Sequence, residues 1–170
     1  MTDIRAAGTD DAEALARLVN TAYEVEQFFV DGDRTNAEDI RAEMTHGTFL
    51  VAASPDGHLD GCVYVSARDA TGYFGMLAVA PDAQRRGLGR RLIAAAEDWL
   101  RAAPRDVVHI LVVNLREDLI AFYERLGYMR IGTEPYVHRP VKQPCWFVRM
   151  EKRLKRDATA SAAGEAEAGR

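Results

Sequence analysis

A chain of 170 residues that is 48% hydrophobic and 28% charged has the composition of one ordinary globular domain. Its formal net charge of −4 argues against a general nucleic-acid binder, and no apolar run approaches the ~20 residues of a membrane-spanning helix. Met1-Thr2-Asp3-Ile4 shows no basic-then-apolar signal segment, and Cys62 and Cys145 lie in strand-like apolar contexts with no Cys-x-x-Cys pairing, so a cytoplasmic protein with buried free thiols is expected.

Thr2 to Ala6 reads as a short first strand. Asp10-x-x-Glu13 marks a helix start, after which Leu15, Leu18, Val19 and Ala22 recur at helical spacing. Thr35-x-x-Glu38 has the form of a second capping box, opening a helix that ends near His46-Gly47. Pro55-Asp56-Gly57 is a turn signal, so Thr48 to Ser54 and His58 to Arg68 form a hairpin. A strand over 73–80 then leads into a helix striped by Leu88, Leu92, Ala95, Ala96 and Trp99, with Pro104 just past its end. Val107 to Val113 is nearly all apolar, as suits a strand covered on both faces. A short helix at roughly 117–126 stops at Gly127, a C-terminal cap, and Tyr128 to Tyr136 and Cys145 to Lys152 supply the last two strands. The domain therefore spans 1–154. Residues 155–170, rich in Ala, Ser, Gly and Glu, lack the apolar surface needed to offset ordering entropy and read as a disordered tail.

Between the strand at 73–80 and its helix lies Gln84-Arg85-Arg86-Gly87-Leu88-Gly89-Arg90-Arg91. Backbone N–H groups at a helix start have no partner within the helix, and the helix dipole favours an anion there. Gly87 and Gly89 allow close backbone approach, while Arg85, Arg86 and Arg90 offer charge-assisted bonds to phosphate oxygens. A ligand with a pyrophosphate fits this device. The lysine and hydroxyl of a Walker loop are missing, and Leu92 stands where a dinucleotide fingerprint needs its third glycine.

Gln84-Arg85-Arg86-Gly87-Leu88-Gly89 after Leu77-Ala78-Val79-Ala80-Pro81 resembles the coenzyme A loop of the GCN5-related N-acetyltransferases, the GNAT superfamily. Leu111-Val112-Val113-Asn114 followed by Phe122-Tyr123-Glu124-Arg125-Leu126-Gly127-Tyr128 resembles the family's other signature, and the resemblance spans Ile4 to Lys152. It implies an α/β (α+β) fold, a mixed, mostly antiparallel sheet of about seven strands flanked by about four helices. It also implies acetyl-CoA as co-substrate, no metal, and acetyl transfer to a primary amine in a ternary complex.

By that resemblance, backbone groups of Leu77, Ala78 and Val79 take the pantetheine arm where their strand splays from the one ending at Asn114. An N–H near Leu77 polarises the thioester carbonyl, and Gln84, Arg85, Arg86, Gly87, Leu88, Gly89 and Arg90 hold the pyrophosphate. Asn114 meets the cofactor or a tethering water, although it stands further ahead of Tyr123 than is usual in the family. The Tyr123 hydroxyl faces the departing sulfur.

Deprotonating an aliphatic ammonium with a pKa near 10.4 costs roughly 4–5 kcal/mol at pH 7, yet no acid occupies 73–79, where many relatives have a glutamate. Glu24, Glu26, Asp31, Asp33, His109 and His138 remain as candidate bases, and water is an alternative; His109 reads as a core residue on its strand. Residues 9–43 carry ten acids against three arginines, net −7, which leaves the remainder at +3. In the family this region forms much of the acceptor site, so the acceptor is expected to be a small-molecule or peptide amine, plausibly cationic, beside walls from Tyr23, Phe28 and Phe29. No nucleic acid or membrane partner is expected; a homodimer is compatible. A non-catalytic coenzyme A-binding sensor is the alternative reading.

Overall fold

The computed structural model describes residues 2–155. The expected tail at 155–170 lies outside the described residues except for Lys155. Seven strands and four α-helices follow one another as β1 (Asp3–Ala6), α1 (Ala12–Tyr23), α2 (Ala37–Met44), β2 (Thr48–Ala53), β3 (Leu59–Ser66), β4 (Gly72–Val79), α3 (Leu88–Ala102), β5 (Val107–Val113), α4 (Glu117–Arg125), β6 (Met129–Pro135) and β7 (Trp146–Arg153). The strands form one sheet ordered β1-β2-β3-β4-β5-β7-β6. Every neighbouring pair is antiparallel except β4 and β5. This is the mixed, mostly antiparallel architecture expected from the sequence.

Period-two alternation divides the core between the two faces of the sheet. Leu50, Ala52, Val63, Val65 and Phe74 join Leu88, Leu92, Ala96, Leu100, Ile120 and Tyr123 from α3 and α4. Phe49, Val51, Cys62, Tyr64 and Ala78 face the other way, onto Leu15, Leu18, Val19 and Ile40 of α1 and α2. Helix α3 lies close to its face: a Cβ at Gly61 would come within 2.8 Å of Leu92, and one at Gly72 within 2.5 Å of Leu100. Leu92 and Leu100 are fully buried, so truncating either to Ala should cost about 2–5 kcal/mol.

Two helix starts differ from expectation. The Asn36 side chain, not that of Thr35, caps α2, accepting from the Asp39 N–H at 2.9 Å. Thr35 is instead clamped to α1, since Asn20 both donates to its carbonyl (2.9 Å) and accepts from its N–H (3.0 Å). Helix α1 begins at Ala12, after a single 3-10 turn over Thr9–Asp11. Asp11 accepts from the Gly8 N–H and pairs with Arg5, so this acid closes the turn.

The sheet splits in the middle. β5 pairs with β7 along all of Val107–Val113 and is thereby held straight. β4 meets β5 only at Gly72↔Val108 and Tyr73↔His109. Beyond that point β4 bends: its register with β3 shifts between Cys62 and Tyr64, and Met76 takes the left-handed φ of 47°. A bulge of this kind increases local twist and turns a strand aside, so Phe74 to Val79 have no strand partner on the β5 side. The gap opens into a cleft of about 450 Å³ between β4, β5, the end of α1 and the segment after β6.

Candidate active site

The loop at the start of α3 sits at one end of this cleft. Gln84 is extended and its side chain donates to the Val79 carbonyl at 3.2 Å. Arg85 has a φ of 63° and Gly87, the cap of α3, one of 75°. Two left-handed residues in three turn the backbone sharply, at a cost a side chain feels and glycine does not. Arg85 and Arg86 are exposed and make no ion pair or hydrogen bond among the described residues. The Arg90 guanidinium lies 6.0 Å over the Phe122 ring, whereas Arg91 donates to the Thr2 carbonyl and so ties down β1. Leu88 is buried in the core and can offer a ligand only its backbone. A Cβ at Gly89 would face Val79 at 3.9 Å, beside the cleft.

Tyr123 enters the same cleft from α4. Gly127, with a φ of 94°, ends that helix, its N–H donating to Glu124 (3.0 Å) while the Tyr128 N–H donates to Tyr123 (3.1 Å). This is the Schellman arrangement, which brings the residue after the glycine onto the last helical turn. Tyr128 accordingly packs on Tyr123 with ring centroids 5.6 Å apart. The Tyr128 hydroxyl donates to Glu97 at 2.8 Å, and Lys152 holds the same carboxylate at 2.9 Å. The Leu-Gly-aromatic signature thus immobilises the Tyr123 ring. Its hydroxyl makes no hydrogen bond within the described residues yet is not fully buried, so it opens onto the cleft. Burial pushes its pKa well above the ordinary tyrosine value, and it stays protonated at neutral pH.

The other end of the cleft is polar. Tyr23 and Tyr73 arrive from the α1 side of the sheet, both held protonated chiefly by burial. Tyr73 lies over Gly75, where a Cβ would fall 2.1 Å from its hydroxyl. Glu26, in a 3-10 turn after α1, is only 6% exposed. It pairs with Arg139 at 2.8 Å and Arg116 at 3.8 Å. Burial raises its pKa against the pull of the arginines. His138 also lines the cleft, and burial, with help from Arg34 and Arg139, lowers its pKa and keeps the imidazole neutral.

The structure therefore brings Leu77, Ala78, Val79, Gln84 and Tyr123 to one cleft and sets the glycine loop at its edge. It does not bring Asn114 to the lining. That side chain accepts from the Trp146 N–H at 2.9 Å and extends the β5–β7 ladder. Of the candidate bases, only Glu26 and His138 line the cleft. His109 is buried beside Thr71 and Tyr73, Asp31 pairs with Lys142, and Glu24 and Asp33 are exposed. Phe29 is fully buried and Phe28 is 52% exposed, so Tyr23 alone of the three expected aromatics forms a wall. Cys62 is buried as expected, but Cys145 is only partly so.

The acid excess of 9–43 does not converge on the cleft. Asp11 is spent on Arg5, Glu13 on Arg41 and Asp31 on Lys142, while Glu38 and Asp39 occupy the first turn of α2. Sequence reasoning missed Arg34, Arg116, Arg139 and Tyr73. Only the fold could reveal them, since Arg139 meets Glu26 113 positions away in sequence. Among the described residues, no cluster of three or more His, Cys, Asp or Glu is placed to hold a metal, and no helix is long and apolar enough to cross a membrane.

Comparison with known proteins completes this picture. A mycothiol acetyltransferase of Beutenbergia cavernae is 34% identical over 136 residues, covering 76% of this chain and 46% of that protein. The chain spans less than half the length of the curated relatives it matches. A Streptococcus mutans structure superposes with a TM-score of 0.76 at 20% identity, over 90% of this chain and 99% of the other. A Salmonella typhimurium structure solved with acetyl-CoA as its cofactor superposes at 0.71, with 20% identity over 93% of this chain and 96% of its own. Residues 13–128, from α1 through the Schellman turn of α4, match the profile of the acetyltransferase (GNAT) family, and to that family the chain belongs.

Proposed function

We propose that this protein is an acetyl-CoA-dependent N-acetyltransferase that moves the acetyl group directly to a primary amine within a ternary complex. The observation that carries this reading is the split sheet. The unpaired edge of β4 and Tyr123 line a single cleft, and Val79 and Gln84 lead from it to the start of α3, which no side chain caps. Its free backbone groups match an extended amide-bearing arm, and the exposed Arg85 and Arg86 with the first N–H groups of α3 match a pyrophosphate. Acetyl-CoA supplies an acetyl group already activated as a thioester.

Backbone N–H groups along Leu77, Ala78 and Val79 orient the arm, and one near Leu77 stabilises negative charge on the acetyl oxygen during attack. Tyr123 donates a hydrogen bond to the departing sulfur. A free thiol titrates near ~8.5, below tyrosine, so this residue stabilises a thiolate before a proton reaches it. The proton released by the attacking amine balances the one the sulfur finally takes. His138, neutral in the cleft, is the group we assign to receive it. Glu26 is less suited because two guanidinium groups already hold it.

Calorimetry with acetyl-CoA and free coenzyme A, on the wild type and on Gly89→Trp, tests the cofactor assignment. Binding to the wild type and loss in the variant is the expected outcome. A wild type that binds neither ligand refutes the reading.

A further inference from the structure

Arg34 stands out among the cleft residues. Its guanidinium lies 5.7 Å from the centroid of the Tyr23 ring and lines the cleft. It makes no hydrogen bond or ion pair within the described residues, yet its charge acts on Tyr23, Tyr73, Glu26 and His138. The backbone next to it is rigid, because Asn20 clamps Thr35 in both directions and Asn36 caps α2. The other two guanidiniums nearby are engaged. Arg139 is bonded to Glu26 and the Gly32 carbonyl, and Arg116 makes two 3.0 Å bonds to Asp118. Glu43 of α2 is the one further carboxylate whose charge reaches both Tyr73 and His138, but it is engaged by Tyr64, whose hydroxyl donates to the Glu43 carbonyl at 3.2 Å and also meets its carboxylate. One uncommitted cation, Arg34, thus faces the polar end of the cleft.

We infer that the acceptor is a small amine that also carries a carboxylate, with the carboxylate held by Arg34. This inference rests on the acetyl-transfer reading above. A guanidinium presents a planar fork of donors that matches a carboxylate. A phosphate dianion would call for a second free cation, which this end of the cleft lacks among the described residues.

The test uses the intact protein with acetyl-CoA, reading thiol release and N-acetyl product. The acceptors are L-amino acids and ω-amino acids, each beside its carboxamide and its decarboxylated amine. Carboxylate-bearing acceptors should exceed their matched partners in kcat/KM by ~10-fold or more. In Arg34→Ala that ratio should fall to about one through KM, with Arg34→Lys intermediate, while calorimetry shows acetyl-CoA affinity retained. Acetyl-CoA binding without acetylation of any carboxylate-bearing amine, or a preference for the uncharged partners, overturns the inference but spares the family reading. An unchanged ratio in Arg34→Ala does the same. Failure to bind acetyl-CoA at all overturns both.

Discussion

Glu26 ties three distant parts of the chain together, and the energy of that tie is open to measurement. Its carboxylate and the Arg139 side chain are each 8% exposed, and Arg116 is 13% exposed. Replacing Glu26 with Leu removes the anion and leaves a guanidinium facing an apolar group. Breaking a buried pair from one side costs about 3–5 kcal/mol. The lower end applies here, because Arg139 keeps the Gly32 carbonyl at 3.1 Å and Tyr136 at 3.3 Å, and Arg116 keeps Asp118. A loss of about 3 kcal/mol in a domain of this size lowers Tm by roughly 6–12 °C. Because burial already raises the Glu26 pKa, the ion pair itself contributes little net stability, and the cost comes from stranding its partner. Arg139→Met added to Glu26→Leu should then recover most of the loss. Urea unfolding of the wild type, both single variants and the double variant closes the cycle. A coupling energy below about 0.5 kcal/mol, the additive limit for independent sites, would refute the argument.

Tyr123→Phe should lower kcat by ~10²-fold or more while calorimetry finds acetyl-CoA affinity unchanged. Indifference to that substitution would instead favour a binding protein without turnover. His138, if it receives the amine proton, should place the acid limb of the kcat/KM profile below the ordinary histidine value of 6.5, the direction in which burial and Arg34 move it. His138→Gln should flatten that limb, and a profile that keeps its shape in the variant removes the residue from the reaction. Stability should also fall in acid. Arg5 holds Asp11 below its ordinary pKa, and Arg116 does the same for Asp118. Their contribution is present above the unfolded carboxylate value and is lost as pH drops through the folded one. Comparing Tm with that of Asp11→Asn from neutral pH to pH 3 checks the sign, and a gap that widens on acidification contradicts it.

Much of this protein could be read from local signals. Strand and helix periods, Pro104 beyond α3 and Gly127 beyond α4 are short-range patterns, and each element forms where its pattern lies. The glycine loop was equally legible, because a positive φ at Gly87 and a free helix start are consequences of a few consecutive residues. So was Tyr123, whose orientation depends on a turn completed within five positions. The cap of α2 was misread by one residue because Thr35 and Asn36 are both competent caps, and contact with Asn20 of α1 decides between them.

The polar end of the cleft was not legible, and the reason is distance along the chain. Charge counts over 9–43 cannot tell which acids face a cleft and which close turns or pair on the surface. The Asn114 side-chain oxygen accepts from a backbone N–H on β7, a contact that no local pattern announces. Arg34, Glu26, Arg116, Arg139 and His138 meet only because β4 parts from β5 and the segments after α1 and β6 close over the gap. Sequence by itself determined the elements, the glycine loop at the start of α3 and the tyrosine of α4, all set by backbone chemistry over a few residues. Which charges remain unpaired in the cleft was decided by packing among segments a hundred residues apart, and only the tertiary structure holds that information.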